Sequence, residues 1–224
     1  LKERKKRMNI AFKILLIIHI VGGSIGLVTG LFNIIQKKGD KSHKILGSVF
    51  YFSMILAGVS SLLLSCLHPN YFLFMVGLFT LYMVGSGQRY IKHKQHEIQE
   101  IKKLDWAIST IMFTAGFLFI GLVIWSVIKS NLFGLVFLAF GTLGLLFVRQ
   151  DFLNFTNKAS IKNYWLIGHL QRMTGAFIAS MTAFLVVNAT YLSDTIPGFV
   201  YWLLPTTVFT PLIIKWSKKY QVKV

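Results

Sequence analysis

Seven long apolar runs, separated by short charged segments, leave this chain few ways to fold. They lie at Ile10–Gln36, Ile45–Leu67, Tyr71–Ile91, Trp106–Ile128, Leu132–Val148, Tyr164–Asn188 and Ile196–Ile214. Each is close to the about 17–25 residues that a helix needs to cross a hydrocarbon core. The about 10-residue alternating stretches of a membrane β-barrel do not occur. Apolar residues make up 54% of the 224 and charged residues 14%, against about 25% charged in a soluble domain. No water-soluble core of this size could hide so much apolar surface. The fold class is therefore all-α, a polytopic membrane protein built as a seven-transmembrane-helix bundle. Residues 8–217 form one domain and residues 218–224 a tail. Short linkers make consecutive helices antiparallel neighbours, and the mixed charges of Lys92–Lys103 suit a surface helical extension. A lone cysteine, Cys66, excludes an intramolecular disulfide and any Cys-rich metal motif.

Charge sets the expected orientation. The formal charge is +17, but the basic residues punctuate apolar runs, so the partner they suit is a bilayer with anionic headgroups and not a nucleic acid. The loops after the first, third and fifth spans, with the C-terminal tail, hold sixteen Lys and Arg, and the opposite side holds seven. The positive-inside rule then places the N-terminus outside and the C-terminus in the cytoplasm of a multi-pass protein of the bacterial inner membrane. The basic segment Lys2–Arg7 opposes this. With a start at Met8 and residues 1–7 upstream of it, the count becomes sixteen against two, Lys13 and Lys129. No A-x-A-like site follows the first span, so a removable signal peptide is not expected.

Three constellations carry chemistry. Gly22, Gly26 and Gly30 form a small-xxx-small stripe for close helix packing, with His19 beside it. An imidazole at that depth should face the bundle interior, either as a haem, metal or proton-relay ligand or as the donor of one interhelical hydrogen bond. In the sixth span His169, Arg172 and Met173 share one helical face. Arg172 sits about two turns inside the basic end and needs a carboxylate, backbone carbonyls or a bound anion; snorkelling towards Asp151 is the alternative. Asp105 and Asp151 both lie at span ends on this reading, with no acidic residue inside any apolar run. The loop Lys37–Lys44 places Ser42 and His43 at the start of the second span, where free amides favour an anion. With Arg89, Arg149, His169 and Arg172 this loop makes a basic pocket for phosphate, a lipid headgroup or haem propionates, unless its lysines are ordinary positive-inside charge.

Depth limits which histidines can share a haem. Helical rise puts His19 about 4 Å to the outer side of mid-membrane, His169 about 12 Å and His43 about 19 Å towards the cytoplasm. Axial ligands must bracket one iron at similar depth. His19 with His169 fails by about 16 Å, whereas His43 with His169 differs by only about 7 Å, which tilt can absorb. A single cytoplasmic-side b haem is thus allowed. His68, His93 and His96 read as solvated. Gly22-Gly23-Ser24-Ile25-Gly26 fits G-x-S-x-G but lies inside a membrane helix, where no nucleophile elbow can form. The seventh span has no lysine for retinal before Lys215, and Pro205 beside Thr206 and Thr207 predicts a kink.

Two stretches carry a resemblance. His19-Ile20-Val21-Gly22-Gly23 through Thr29-Gly30, then Lys38-Gly39 and His43-Lys44-Ile45-Leu46-Gly47-Ser48-Val49-Phe50-Tyr51, resembles the pattern of bacterial membrane proteins grouped as domain of unknown function 2306. Lys44 stands where that pattern has arginine. The segment His169–Ala179 with Thr182-Ala183-Phe184 is similar to the C-terminal half of longer members, so the likeness runs from His19 to Pro211. It implies the architecture and points at His19, His43, His169 and Arg172, but supplies no reaction. The function expected is binding of an anionic or redox ligand in a basic cytoplasmic-side pocket, with His43, Arg89, His169 and Arg172 as ligands and His19 deeper in the bundle. A b-haem redox protein, a small-molecule transporter and an assembly factor are the alternatives.

Overall fold

The computed structural model describes residues 2–93, 101–129, 134–192 and 195–222, without the side chains of residues 2–7 and 93. The elements are α1 (Lys2–Ile35), α2 (Lys41–Leu67), α3 (Tyr71–His93), α4 (Lys103–Ile128), α5 (Gly134–Phe155), α6 (Tyr164–Val187), a single turn α7 (Ala189–Leu192) and α8 (Gly198–Tyr220). No strand occurs among the described residues, and seven of the helices are long and apolar enough to span a bilayer. The core of the expected Lys92–Lys103 extension, with His96, Glu97 and Glu100, lies outside the described residues, as does the side chain of His93.

The α1–α2 turn shows how the sequence sets these boundaries. Gly39 takes φ +86°, a left-handed conformation that costs glycine little. Asp40 follows in extended backbone and caps α2, its carboxylate accepting the His43 N–H at 2.7 Å. Lys38 folds back over the C-terminus of α1, donating to the Asn33 and Ile34 carbonyls at 2.5 and 2.7 Å, and lies over the Trp216 ring of α8. Burial there pushes its ammonium below the ordinary lysine pKa. The tail returns to the same end, where Asn163 bonds the Tyr220 carbonyl at 2.7 Å and the Val222 N–H at 2.8 Å. We call this the basic end.

α3 is the hub, with α2 and α6 along its length and α4 and α5 beside it. Interhelical contact depends on small residues. Gly22 and Gly26 of α1 face Ser53 and Met54 of α2, and Gly30 faces Phe50 and Phe177. Gly58 and Gly77 bring α2 against α3, and Gly116, Gly141 and Gly144 bring α4 against α5. The apolar core runs through Phe50, Met54, Met75, Phe79, Met83 and Phe177 into Met112, Phe119, Phe137 and Phe140. α8 continues through Pro205 and Pro211 to Tyr220, and Thr207 donates to the Leu203 and Leu204 carbonyls.

One boundary changes the chemistry. The fifth helix does not stop at Val148 but continues to Phe155, so Asp151 belongs to the bundle interior and not to a span end. Helical periodicity explains this, since Phe140, Gly144 and Asp151 fall on one stripe that turns inward. The expectation that Asp151 lies at a span end, with no acidic residue inside an apolar run, is thereby corrected, while the pairing of Arg172 with Asp151 offered as the alternative occurs within the bundle.

A Cβ added to Gly77 would overlap Ser61 and lie 3.2 Å from the Gly58 carbonyl, whereas one added to Gly121 meets nothing within 4 Å. Gly77→Ala should therefore destabilise the protein by about 1–3 kcal/mol, and Gly121→Ala should hold or raise stability. Thermal denaturation of the two variants in detergent is the check.

Candidate functional site: a sealed ionic centre and an imidazole pair

Arg172 is fully buried, and so is Asp151. A guanidinium at membrane depth needs acceptors, and α5 supplies them. Nη2 pairs with Asp151 Oδ1 and donates to the Phe147 carbonyl at 3.0 Å, while Nη1 reaches Gln150 Oε1 at 3.3 Å. Arg172 Cζ lies 4.8 Å from the Tyr90 ring centre and 4.9 Å from that of Phe147, within cation–π range of both. Asp151 in turn accepts hydrogen bonds from Tyr82 at 2.7 Å, Tyr90 at 2.6 Å and Ser109 at 2.8 Å. A carboxylate offers about four lone-pair sites; with Arg172 added, Asp151 is saturated. Asn154 completes the network by donating to the Tyr90 hydroxyl at 2.9 Å. Four helices, α3 to α6, thus meet on one carboxylate.

A second ion pair lies nearer the basic end. Arg89 of α3 grips Asp105 of α4 with both arms of its fork, Nε to Oδ1 at 2.6 Å and Nη2 to Oδ2 at 2.7 Å. Asp105 also accepts the Lys102 N–H at 2.9 Å and sits in the first turn of α4, where the helix dipole favours a carboxylate. The Arg89 side chain is 16% exposed and that of Asp105 1%. Beside the pair runs a crevice lined by Ser86, Tyr90, Ile108 and Ser109, too narrow to admit a water. As packed, this centre is closed. Its carboxylate has no free lone pair for base catalysis and its inner arginine no path to a ligand.

The histidines separate from it. His169 Nδ1–H donates to the Gly87 carbonyl of α3 at 2.9 Å, and among the described residues Nε2 has no hydrogen-bond partner. Gly87 is also where α6 packs tightly on α3, because a Cβ there would lie 3.2 Å from Arg172 Cβ and 3.4 Å from Met173. His169 bonds α3 while Arg172 turns to α5, so the two share no hydrogen-bond partner. His43 stands at the start of α2, and its buried Nδ1 has no hydrogen-bond partner. The α2 amide expected to attract an anion is occupied, since Asp40 takes the His43 N–H. His19 bonds the Ala57 carbonyl of α2 at 3.0 Å, with Ser60 Oγ 3.4 Å away, which is the interhelical hydrogen bond of the simpler reading. No group of three or more His, Cys, Asp or Glu that could hold a metal occurs among the described residues.

Sequence reasoning singled out Arg172 and Arg89 and named Asp151 as a partner of Arg172 only by snorkelling to a span end, and it missed Tyr82, Tyr90, Ser109 and Asn154. A signal existed. Tyr82, Ser86 and Tyr90 recur at four-residue spacing on α3, a polar stripe in an apolar helix.

Removing either member of the inner pair should cost about 3–5 kcal/mol. Asp151→Asn is expected to be the worse, because a buried carboxylate can take up a proton while arginine cannot shed one. Tyr90→Phe should cost about 1–3 kcal/mol. Denaturation curves in detergent would rank the three.

A family model described as "Predicted membrane protein (DUF2306)" matches residues 16–146. The match takes in His19, His43 and Arg89 and ends before Asp151, His169 and Arg172, so it does not extend over the sixth-span likeness. No curated protein and no solved structure matches the chain.

Proposed function

This chain belongs to the DUF2306 family of membrane proteins, and we propose that it is a multi-pass binding protein of the bacterial inner membrane whose basic end faces the cytoplasm and takes an anionic ligand. The observation that supports this is that His43 and His169, on two different helices towards the basic end, each keep a ring nitrogen without a hydrogen-bond partner among the described residues. Lys41 and Lys44 flank His43 in sequence and are exposed, so an anion approaching this end meets positive charge first. In this reading the arginines act through the scaffold. Arg172 fixes α6, which carries His169, and Arg89 fixes α3, whose Gly87 carbonyl orients the ring.

A second reading, b haem, draws on one specific feature. An imidazole that donates Nδ1–H to a backbone carbonyl presents Nε2 as a ligand, the usual second-shell arrangement at metal sites. His43, whose Nδ1 has no such partner, would supply the second axial ligand from a separate helix, and lysines suit propionates.

Two measurements on the purified protein test these readings together. Calorimetric titration with inorganic phosphate should give binding that weakens at least about tenfold in His43→Ala or His169→Ala, the loss of one charge-assisted hydrogen bond. A Soret band that both variants abolish would instead establish the haem reading. Absence of both phosphate binding and a Soret band overturns the proposal.

A further inference from the structure

The bundle is unevenly joined. α1, α2, α3, α6 and α8 share long interfaces, whereas α4 packs chiefly along α5 and this hairpin meets the rest mainly on α3. Midway along the seam the contact is apolar, with Phe79 and Phe140 edge to face at 5.0 Å. Towards the basic end it is polar, and nearly every bond crosses from body to hairpin. Arg89 reaches Asp105, Tyr82 and Tyr90 reach Asp151, Asn154 reaches Tyr90, and Gln150 reaches Gln171 at 3.1 Å. Arg172 makes all its bonds to α5 apart from a 3.4 Å contact with Tyr82. The crevice follows this same seam, with Ser86 and Tyr90 on one wall and Ile108 and Ser109 on the other.

We propose that α4–α5 is a separable hairpin that opens from the five-helix body at the basic end, with Arg89–Asp105 as its outer latch and Arg172–Asp151 as its inner one. The physical reason lies in what each interface can exchange. A polar seam that reaches the aqueous end trades its internal hydrogen bonds for bonds to water, whereas the glycine-mediated interfaces of the body gain nothing from water. The outer pair is partly exposed and yields first, and the inner pair follows because a buried arginine and carboxylate recover hydration only once the seam is wet. This inference does not depend on which ligand the protein binds.

The test needs no ligand. In a Cys66→Ser background, maleimide labelling is timed at Ile108→Cys in the seam and at Ala176→Cys, whose native side chain is fully buried within the body. Arg89→Gln should speed labelling at position 108 about tenfold and leave position 176 unchanged, as expected of local and not global opening. Raising sodium chloride to about 1 M, with Arg89 and Asp105 intact, should speed position 108 in the same direction by screening the outer pair. Equal acceleration at both positions would mean general loosening, and no acceleration at position 108 under either condition would mean a fixed seam; each overturns the proposal.

Discussion

A guanidinium cannot be left alone inside a membrane protein. Arg172 is fully buried, and the desolvation of such a charge costs several kcal/mol unless a counter-ion and further hydrogen bonds offset it. That single requirement organises the basic half of the bundle. It fixes the rotation of α5 so that Asp151 turns inward, the placement of Tyr82 and Tyr90 on α3, and the approach of Ser109 from α4. Elsewhere the helices meet by close packing at glycine. Here they meet by charge.

The two modes of contact divide the molecule by function as well as by chemistry. Small-residue interfaces such as Gly22 against Ser53 or Gly58 against Gly77 are held chiefly by close packing, with His19 to the Ala57 carbonyl as a polar bond between α1 and α2. The α3–α4–α5 seam stores its cohesion in directional bonds that end where water begins. His169 is held to α3 by the Gly87 carbonyl, a bond that takes no part in that seam. The ligand reading and the hairpin proposal therefore rest on different bonds of one helix.

Much of the architecture was legible in advance because membrane span length is dictated by bilayer thickness and the backbone must satisfy itself internally. Span counting located seven helices, and the Gly22, Gly26 and Gly30 stripe announced a close neighbour that proved to be α2. The ionic centre was only half legible. Arg172 is conspicuous in an apolar run, yet Asp151 follows Arg149 and Gln150, three polar residues in a row that read as the end of a span. Whether such a residue faces water or the interior depends on helix rotation, and apolar content does not report rotation.

The order of apolar and charged residues therefore determined the class, the number of crossings and the positions at which polar groups would need partners, because those follow from transfer energies that each segment carries on its own. Which partner each found was decided in three dimensions. Asp151 lies 21 residues from Arg172 and 69 from Tyr82, and only the mutual rotation of α3, α5 and α6 brings them together. The same packing separates His169 from Arg172. Two residues three apart on one helix thus find different partners, the Gly87 carbonyl of α3 and Asp151 of α5, because two neighbouring helices meet that face.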